Sequence, residues 1–538
     1  MNDQLNEASV PPGGGFIAFV DRFGIETLAL AVVAPMMTAM TKISSTRIGR
    51  RAMIAATGAA LLLPRALFAQ PRGGAFSWEM VIGRAQRLTR TPFAVTPFFP
   101  GADKIGYDAF NQARFRDERT IWNGLGGDTG IRLFPLSGTV QQPVEIALVE
   151  RGRATPLRYD PDMFDAPAGN AVRNLGPDAG FSGFRIMNAA RDGDWLSFLG
   201  ATYFRAPAEK QFGLSARAVA INTSIAGKEE FPRFTHFWLE RTGRSSVTVY
   251  ALMDSASLTG AFRFANELTP QGVRQDVDAV LFARKPIAEL GLMPMTSMFW
   301  YDQADRAKRT DWRPEIHDSD MLSIASADGT AHCRPLVNPS APRVDVFAER
   351  NPKGFGLLQR DRDFDHYQDD GVFYERRPSL WATSRKPLGA GQVRLYAFPT
   401  DSEYTDNVAA YWTPAASIRA GSRIEASYRL DWSAARTPGS SGLATVENIW
   451  TGQSGETGVE RFLVDFAGVP AQTRPDIWVD LAGGTLVKKA GYPVLHQKDM
   501  FRMVLDIRRD RGKSTDIRAQ LRTGNRPFSE YVHYPLGA

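Results

Sequence analysis

From about residue 100 onward the chain is a succession of short β-patterned segments cut by turn residues. "GIRLFPL", "VEIALVERG", "SSVTVYALMD", "DVDAVLFARK" and "RIEASYRLDW" alternate apolar and polar residues or run in β-branched and aromatic ones. Gly, Pro, Asn and Asp separate them, because those residues supply the backbone conformations that tight turns need. Many short strands with few helices can bury their apolar faces only by stacking sheets, so the expected class is mainly β, built of β-sandwiches. A single clear helix precedes them. "FSWEMVIGRAQRLTRTPF" spaces Trp78, Val81, Ile82, Ala85 and Leu88 along one face, with Ser77 as N-cap.

At 538 residues the chain exceeds one ordinary domain. Pro399 and Pro414 frame the polar stretch "AFPTDSEYTDNVAAYWTP", after which "GSRIEASYRLDW" opens a new strand series. The expected division is therefore a large sandwich over 76–398, a linker over 399–408 and a smaller, immunoglobulin-like sandwich over 409–538. The first 69 residues read as an address rather than structure. Arg50-Arg51 precede an apolar run from Ala52 to Leu63 and "LFA" ends at Ala69, the pattern of a twin-arginine export signal cleaved there. That run is well short of the ~20 residues a membrane span needs. Met37 and Met40 are further candidate start sites, which makes the upstream residues an extension. A periplasmic location is expected.

Composition narrows the functional classes. The formal charge is +6, and residues 1–70 hold six basic and four acidic side chains. The remainder is too mildly and diffusely basic for a nucleic-acid footprint. The single cysteine, Cys333, permits no internal disulfide, redox pair or cysteine zinc cage, and is expected to be a packed thiol. No Gly-x-Ser-x-Gly elbow, phosphate-binding loop, His-Glu-x-x-His helix or strand-placed dinucleotide fingerprint is present. No cofactor is expected.

Three acidic stretches remain. In "RPEIHDSDML" the cluster His317-Asp318-Ser319-Asp320 invites a metal reading. On a strand, however, His317 and Ser319 face one side and Asp318 and Asp320 the other, so the histidine and aspartates do not converge. "DRDFDHYQDD" imitates the start of a calcium loop with Asp361, Asp363 and Asp365, but has His366 where such loops need Gly and Val372 where they need Glu. It is expected to be a solvated acidic turn, and no metal is expected. Paired carboxylates are the remaining chemistry. Glycoside cleavage needs an acid on the leaving oxygen and a base on the attacking one, and "HDSD" at 317–320 with "TDSEYTDN" at 400–407 offer both.

The segments "GFSGFRI" (180–186), "FLGATYFRA" (198–206), "FGLSARA" (212–218), "KEEFPRFTHFW" (228–238), "YALMDSASLTGAF" (250–262) and "PMTSMF" (294–299) carry a resemblance. They continue through "RPEIHDSD" (313–320), "NPKGFGLLQRDRDFDHYQD" (351–369), "YERRPSLW" (374–381) and "DNVAAYWTP" (406–414). Together they resemble the periplasmic glucans biosynthesis protein G and D family over most of residues 76–538. "HYQD", "DSASLTG" and the twin-arginine leader lie closer to the protein D side.

The resemblance implies action on β-1,2-linked glucan, with anomer-inverting cleavage by hydrolysis or by transglycosylation and ring closure. It places the general acid at Asp406 and the general base at Asp318, the latter acting through a proton relay. Tyr374, Arg377 and Trp381 fall on the cleft wall, and His317 and Asp320 serve as support or sugar contacts. The acid must be protonated near neutral pH, so burial or a neighbouring carboxylate such as Glu403, itself beside the sugar, is expected to raise its pKa. One segment departs from the family pattern. Ala435 to Arg461 is about ten residues shorter than in protein D relatives, and a shorter shield over the relay favours transfer to a sugar held near Trp450 over transfer to water. The expected partners are β-1,2-glucan and the inner-membrane glucan glucosyltransferase, with a homodimer as the candidate assembly. The rival reading is a non-catalytic glucan-binding protein that helps that transferase shape its product.

Overall fold

The computed structural model describes residues 73–538 apart from residue 441. The export signal and its cleavage position lie outside the described residues. Among the described residues no helix is long and apolar enough to cross a membrane.

Two large sheets face each other. One is 16-stranded and runs without interruption from Gly74–Ala75 at one end to Asp476–Ala482 at the other; the second is 10-stranded. All five quoted strand patterns fall on strands, among them Ser246–Asp254, Gly272–Ala283 and Arg423–Ser433. The strand Gly272–Ala283 shows why. Val273, Gln275, Val277 and Ala279 alternate inward while Arg274, Asp276 and Asp278 alternate outward. The inward Gln275 is satisfied inside the core, accepting from Trp432 Nε1 at 2.6 Å and donating to Asn266 Oδ1 at 2.8 Å. Phenylalanines 184, 198, 204, 234, 237, 262 and 264 fill the space between the sheets.

The helix Trp78–Leu88 forms as its spacing predicts. Ser77 Oγ accepts from the Met80 amide at 3.2 Å, and Val81 and Ala85 pack on Trp238, Leu252 and Ala261 on the outer face of the large sheet.

The division at 399–408 does not hold. Val408–Pro414 lies inside the 10-stranded sheet, hydrogen-bonded between Ala390–Ala397 and Leu290–Ser297. Arg423–Ser433 lies inside the 16-stranded sheet, between Gly272–Ala283 and Ser379–Ser384. Both strands complete the large sandwich, so the chain leaves it only after Ser433. The second core begins with Ala444 and Val446 and gathers Phe462, Val464, Phe466, Met503, Leu505 and Ile507 against Ile517, Leu521 and Val532. Its inner layer is the four-stranded sheet of Thr445–Gln453, Glu460–Ala467, Met500–Arg509 and Gly484–Pro493. Its other layer is the far end of the 16-stranded sheet, joined where Ala331–Pro335 pairs parallel to Tyr531–Leu536. The two units thus share a sheet. At this seam Cys333 is fully buried against Met321, a packed thiol.

Candidate active site

Asp318 and Asn407, the neighbour of Asp406, are held by adjacent backbone positions. Asp318 follows the short strand Ile316–His317, which pairs with Phe299–Tyr301, and its amide donates to the Met298 carbonyl at 2.9 Å. Asp406 precedes the strand Val408–Pro414. Its neighbour Asn407 is wholly buried, accepts from the Phe299 amide at 2.9 Å and donates to the Phe398 carbonyl at 3.0 Å. Ser297 Oγ and Ser319 Oγ meet at 2.9 Å beside them. The "SMF" stretch at 297–299 therefore fixes two acids 88 positions apart in the sequence.

Arg377 connects the two electrostatically. It forms an ion pair with Asp318, and its guanidinium lies 4.0 Å from the Tyr374 ring centroid. Burial pulls the Arg377 guanidinium down to about 9, opposed by the fields of Glu403 and Asp406, so it remains cationic at neutral pH. The close approach of its stem requires glycine at position 213, where an added Cβ would stand 3.1–3.2 Å from it.

Glu403 belongs to this support rather than to the acid. It accepts from Arg313 at 2.8 and 3.1 Å and from the Tyr374 hydroxyl at 2.6 Å. Burial works to raise its carboxyl, but those donors hold it below the ordinary range. It is an anion already paired with Arg313. Arg313 is itself saturated, donating also to Asp369 at 2.7 Å and to Asp311 at 2.9 Å.

Around Asp406 the polar wall comes from strands that the sequence reading quoted but did not assign to the site. Arg205 Nη2 stands 3.8 Å from Asp406, an ion pair beyond hydrogen-bond distance. Arg205 in turn is held by Ser215. Arg217 pairs with Glu229 at 2.8 Å, lies over Tyr203 at 5.1 Å and also acts on Asp406. Each arginine is partly buried at the end of a short strand, "YFR" and "SAR", an unusual place for a cation and the available signal. The carboxylates differ in access. The Asp406 side chain is 17% exposed and the Asp318 side chain 9%, so the first is the one open to a ligand.

The other expected sugar contacts occupy different places. Tyr374 and Arg377 are enclosed, so in this arrangement they position the carboxylates rather than line a wall. His317 is fully buried, with Nε2 at 3.0 Å from Glu315 and Nδ1 at 3.0 Å from Gln359. Burial opposes its charge, yet Glu315 holds its pKa up at about 9. It cannot touch a sugar from there. Asp320 accepts from the amides of Arg360 and Asp361, both at 2.7 Å, and so ties down the following loop; burial raises its carboxyl. Trp381 is half-buried, rests on Gly439 and packs on the second core, so it belongs to the seam.

"DRDFDHYQDD" is a turn built on its own carboxylates. Asp361 accepts from the Asp363 amide and Asp363 caps the short helix Phe364–Tyr367, each at 3.0 Å. Glu315, Asp361 and His366 do present atoms within 4.8 Å of one another, the spacing of a cation site. Each already has a partner in Glu315–His317 and Asp361–His366 contacts of 3.0 and 2.5 Å.

The family model described as "Periplasmic glucan biosynthesis protein, MdoG" matches residues 76–536. Glucans biosynthesis protein D 2 of Ralstonia nicotianae is 37% identical, covering 90% of this chain and 96% of that protein. Glucans biosynthesis protein D of Xanthomonas oryzae is 38% identical, covering 87% and 92%. Probable glucans biosynthesis protein D of Shewanella oneidensis is 43% identical over 68% of this chain and 69% of its own.

Proposed function

Because the chain belongs to the periplasmic glucan biosynthesis protein family, we propose that it is an inverting enzyme that cleaves β-1,2-glucan backbones, passing the glycosyl group to water or to another sugar hydroxyl. The supporting observation is the common anchoring of Asp318 and Asp406 on Met298 and Phe299, with Arg377 in the field of both. Asp406, the more accessible carboxyl, donates its proton to the glycosidic oxygen as the bond to C1 breaks. The oxygen of water or of a glucan hydroxyl bonds to C1 from the opposite face, and its proton passes to Asp318, giving inversion. Asp318 is nearly enclosed, which suits a base reached through intervening hydroxyls. Its ion pair with Arg377 fixes the carboxylate in place. Arg205, 3.8 Å from Asp406, is the cation that a bound sugar displaces on reaching that carboxyl. The site of action is the periplasm, beside the membrane glucosyltransferase that makes the chain.

The test is incubation of the purified protein with linear β-1,2-glucan, followed by mass spectrometry and optical rotation of the products. Free oligosaccharides of α configuration mean hydrolysis, and products lacking one water mean cyclisation. An unchanged substrate overturns the assignment and leaves a glucan-binding role, and equal turnover by Asp406→Asn overturns Asp406 as the acid.

A further inference from the structure

A second cavity opens between the loop 361–366 and the four-stranded sheet of the smaller unit. Its volume is about 600 Å³, within the range of small-molecule sites. Neither Asp318, Arg377, Glu403 nor Asp406 lines it. Tyr367 stands between the two places, its hydroxyl donating to the Asp361 carbonyl at 3.1 Å on one side and its ring stacked on Tyr374 at 6.1 Å on the other.

The cavity wall combines one aromatic platform with ion pairs that are already closed. Trp450 is partly exposed on the strand Thr445–Gln453, with the Arg502 guanidinium 4.9 Å from its ring centroid. Arg502 is bidentate to Asp465 at 2.7 and 2.8 Å, Arg436 pairs with Glu447, and His366 donates to Asp361. The hydrogen bond to Asp361 raises His366 to about 9, so that pair is ionic at neutral pH. These pairs cancel in charge and present alternating donors and acceptors. Two charged groups stay outside these pairs: Asp363, which caps the helix Phe364–Tyr367, and Arg362. Arg362 donates only Nη1, to the Glu375 carbonyl at 3.0 Å, while its buried Nε and Nη2 have no acceptor among the described residues. A buried guanidinium edge without acceptors is costly unless a ligand supplies them.

We infer that this cavity is a second carbohydrate site, holding a segment of the glucan chain away from the reacting bond. The substrate class rests on the proposed function; the site itself rests on Trp450 and Arg362. A pyranose offers an apolar ring face for the exposed indole and, once the Arg362 side chain turns into the cavity, vicinal hydroxyl oxygens for its enclosed Nε–Nη2 edge. With Asp363 offsetting Arg362, the charges of the lining balance, which favours such a neutral ligand over an anion.

The experiment uses the mature protein carrying Asp406→Asn, so that binding is read without turnover. Calorimetric titration compares a long linear β-1,2-gluco-oligosaccharide with the disaccharide. Trp450→Ala and Arg362→Met are each expected to weaken long-chain binding about tenfold and to narrow the preference for the long chain, and Trp450→Phe to retain most of it. Unfolding midpoints of the variants check that each is folded. Unchanged long-chain affinity in both Trp450→Ala and Arg362→Met overturns the inference, as does competitive displacement of the glucan by succinate, which marks an anion site. If the wild type turns over no glucan while the Trp450-dependent binding stands, the catalytic reading fails and this one survives. If cleavage stands and Trp450 has no effect on binding, the reverse holds.

Discussion

Two buried guanidinium–carboxylate clusters lie in the same sheet neighbourhood, and they are built to opposite ends. At the seam between the units, Arg360 meets Glu530 with two contacts of 2.7 Å, at 3% and 0% side-chain exposure. The remaining lone pairs of Glu530 accept from Ser440 at 2.6 Å and from the Val446 amide at 2.8 Å. All of its oxygens are engaged, and water reaches none of them. At the candidate site, Arg377 and Asp318 are less completely enclosed, at 2% and 9%, and lie near Asp406, whose one ion pair among the described residues, with Arg205, spans 3.8 Å without a hydrogen bond. Saturation makes a charged pair a fastener. Withholding partners from one carboxyl leaves it free for a ligand, which is what proton transfer requires.

The contrast is broken most severely by neutralising the open carboxyl. Asp406→Asn keeps the shape and removes the proposed proton donor, so glucan turnover is expected to fall roughly 10²–10⁴-fold while the unfolding midpoint moves little. Asp318→Asn is expected to lose turnover comparably but to lower stability as well, because it leaves Arg377 buried without its partner. Initial rates beside urea unfolding of the same variants separate the two effects. If Asp406→Asn is as destabilising as a seam mutation, Asp406 is a fastener too and the distinction fails.

Glu530→Ala is the complementary change. It strands Arg360 and orphans Ser440 and the Val446 amide, so a loss of about 3–5 kcal/mol in unfolding free energy is expected. The folded fraction is expected to keep its turnover per molecule, since Glu530 touches neither carboxylate of the site. Urea titration gives the first quantity and active-site-normalised rates the second.

How far the sequence displayed this arrangement depends on the range of each interaction. The strand pattern and the Ser77-capped helix were readable because alternation and capping are local. Asp318 and Asp406 were reached through the resemblance, since no local rule joins positions whose common anchor is the backbone of Met298 and Phe299. The boundary at 399–408 was misplaced for the same reason. Val408–Pro414 looks like the start of a new series until its pairing with Leu290–Ser297, over a hundred residues earlier, is known. His317 was nearer to being legible. Glu315 and His317 are two apart, so alternation puts them on one face, and a buried His–Glu pair was written in "EIH". The role of Glu403 was hidden by distance, because its partner Arg313 lies 90 positions away.

The seam also differs from the site in its response to acid. His332 Nδ1 and His533 Nε2 meet at 3.0 Å across the joint between the units, facing Arg334, Arg518, Asp345 and Glu349. Burial, with the neighbouring His332 and arginines, depresses His533 from 6.5 to about 3, and burial lowers His332 as well. A depressed histidine stays neutral in the fold while the unfolded chain takes up its proton. Stability is therefore complete above pH 6.5 and is lost as the pH falls from 6.5 toward 3, by up to about 1.4 kcal/mol per pH unit for this group. The Arg360–Glu530 pair adds a second loss lower down, because the Glu530 carboxyl, for all its burial, is held below its usual range by Arg360 and must be protonated as the pH falls through it. Urea unfolding at a series of pH values is expected to show the first slope in wild type and a shallower one in His533→Gln, with the Asp406→Asn protein following wild type. A slope that Asp406→Asn flattens and His533→Gln does not would place the acid-sensitive joint at the site instead of the seam.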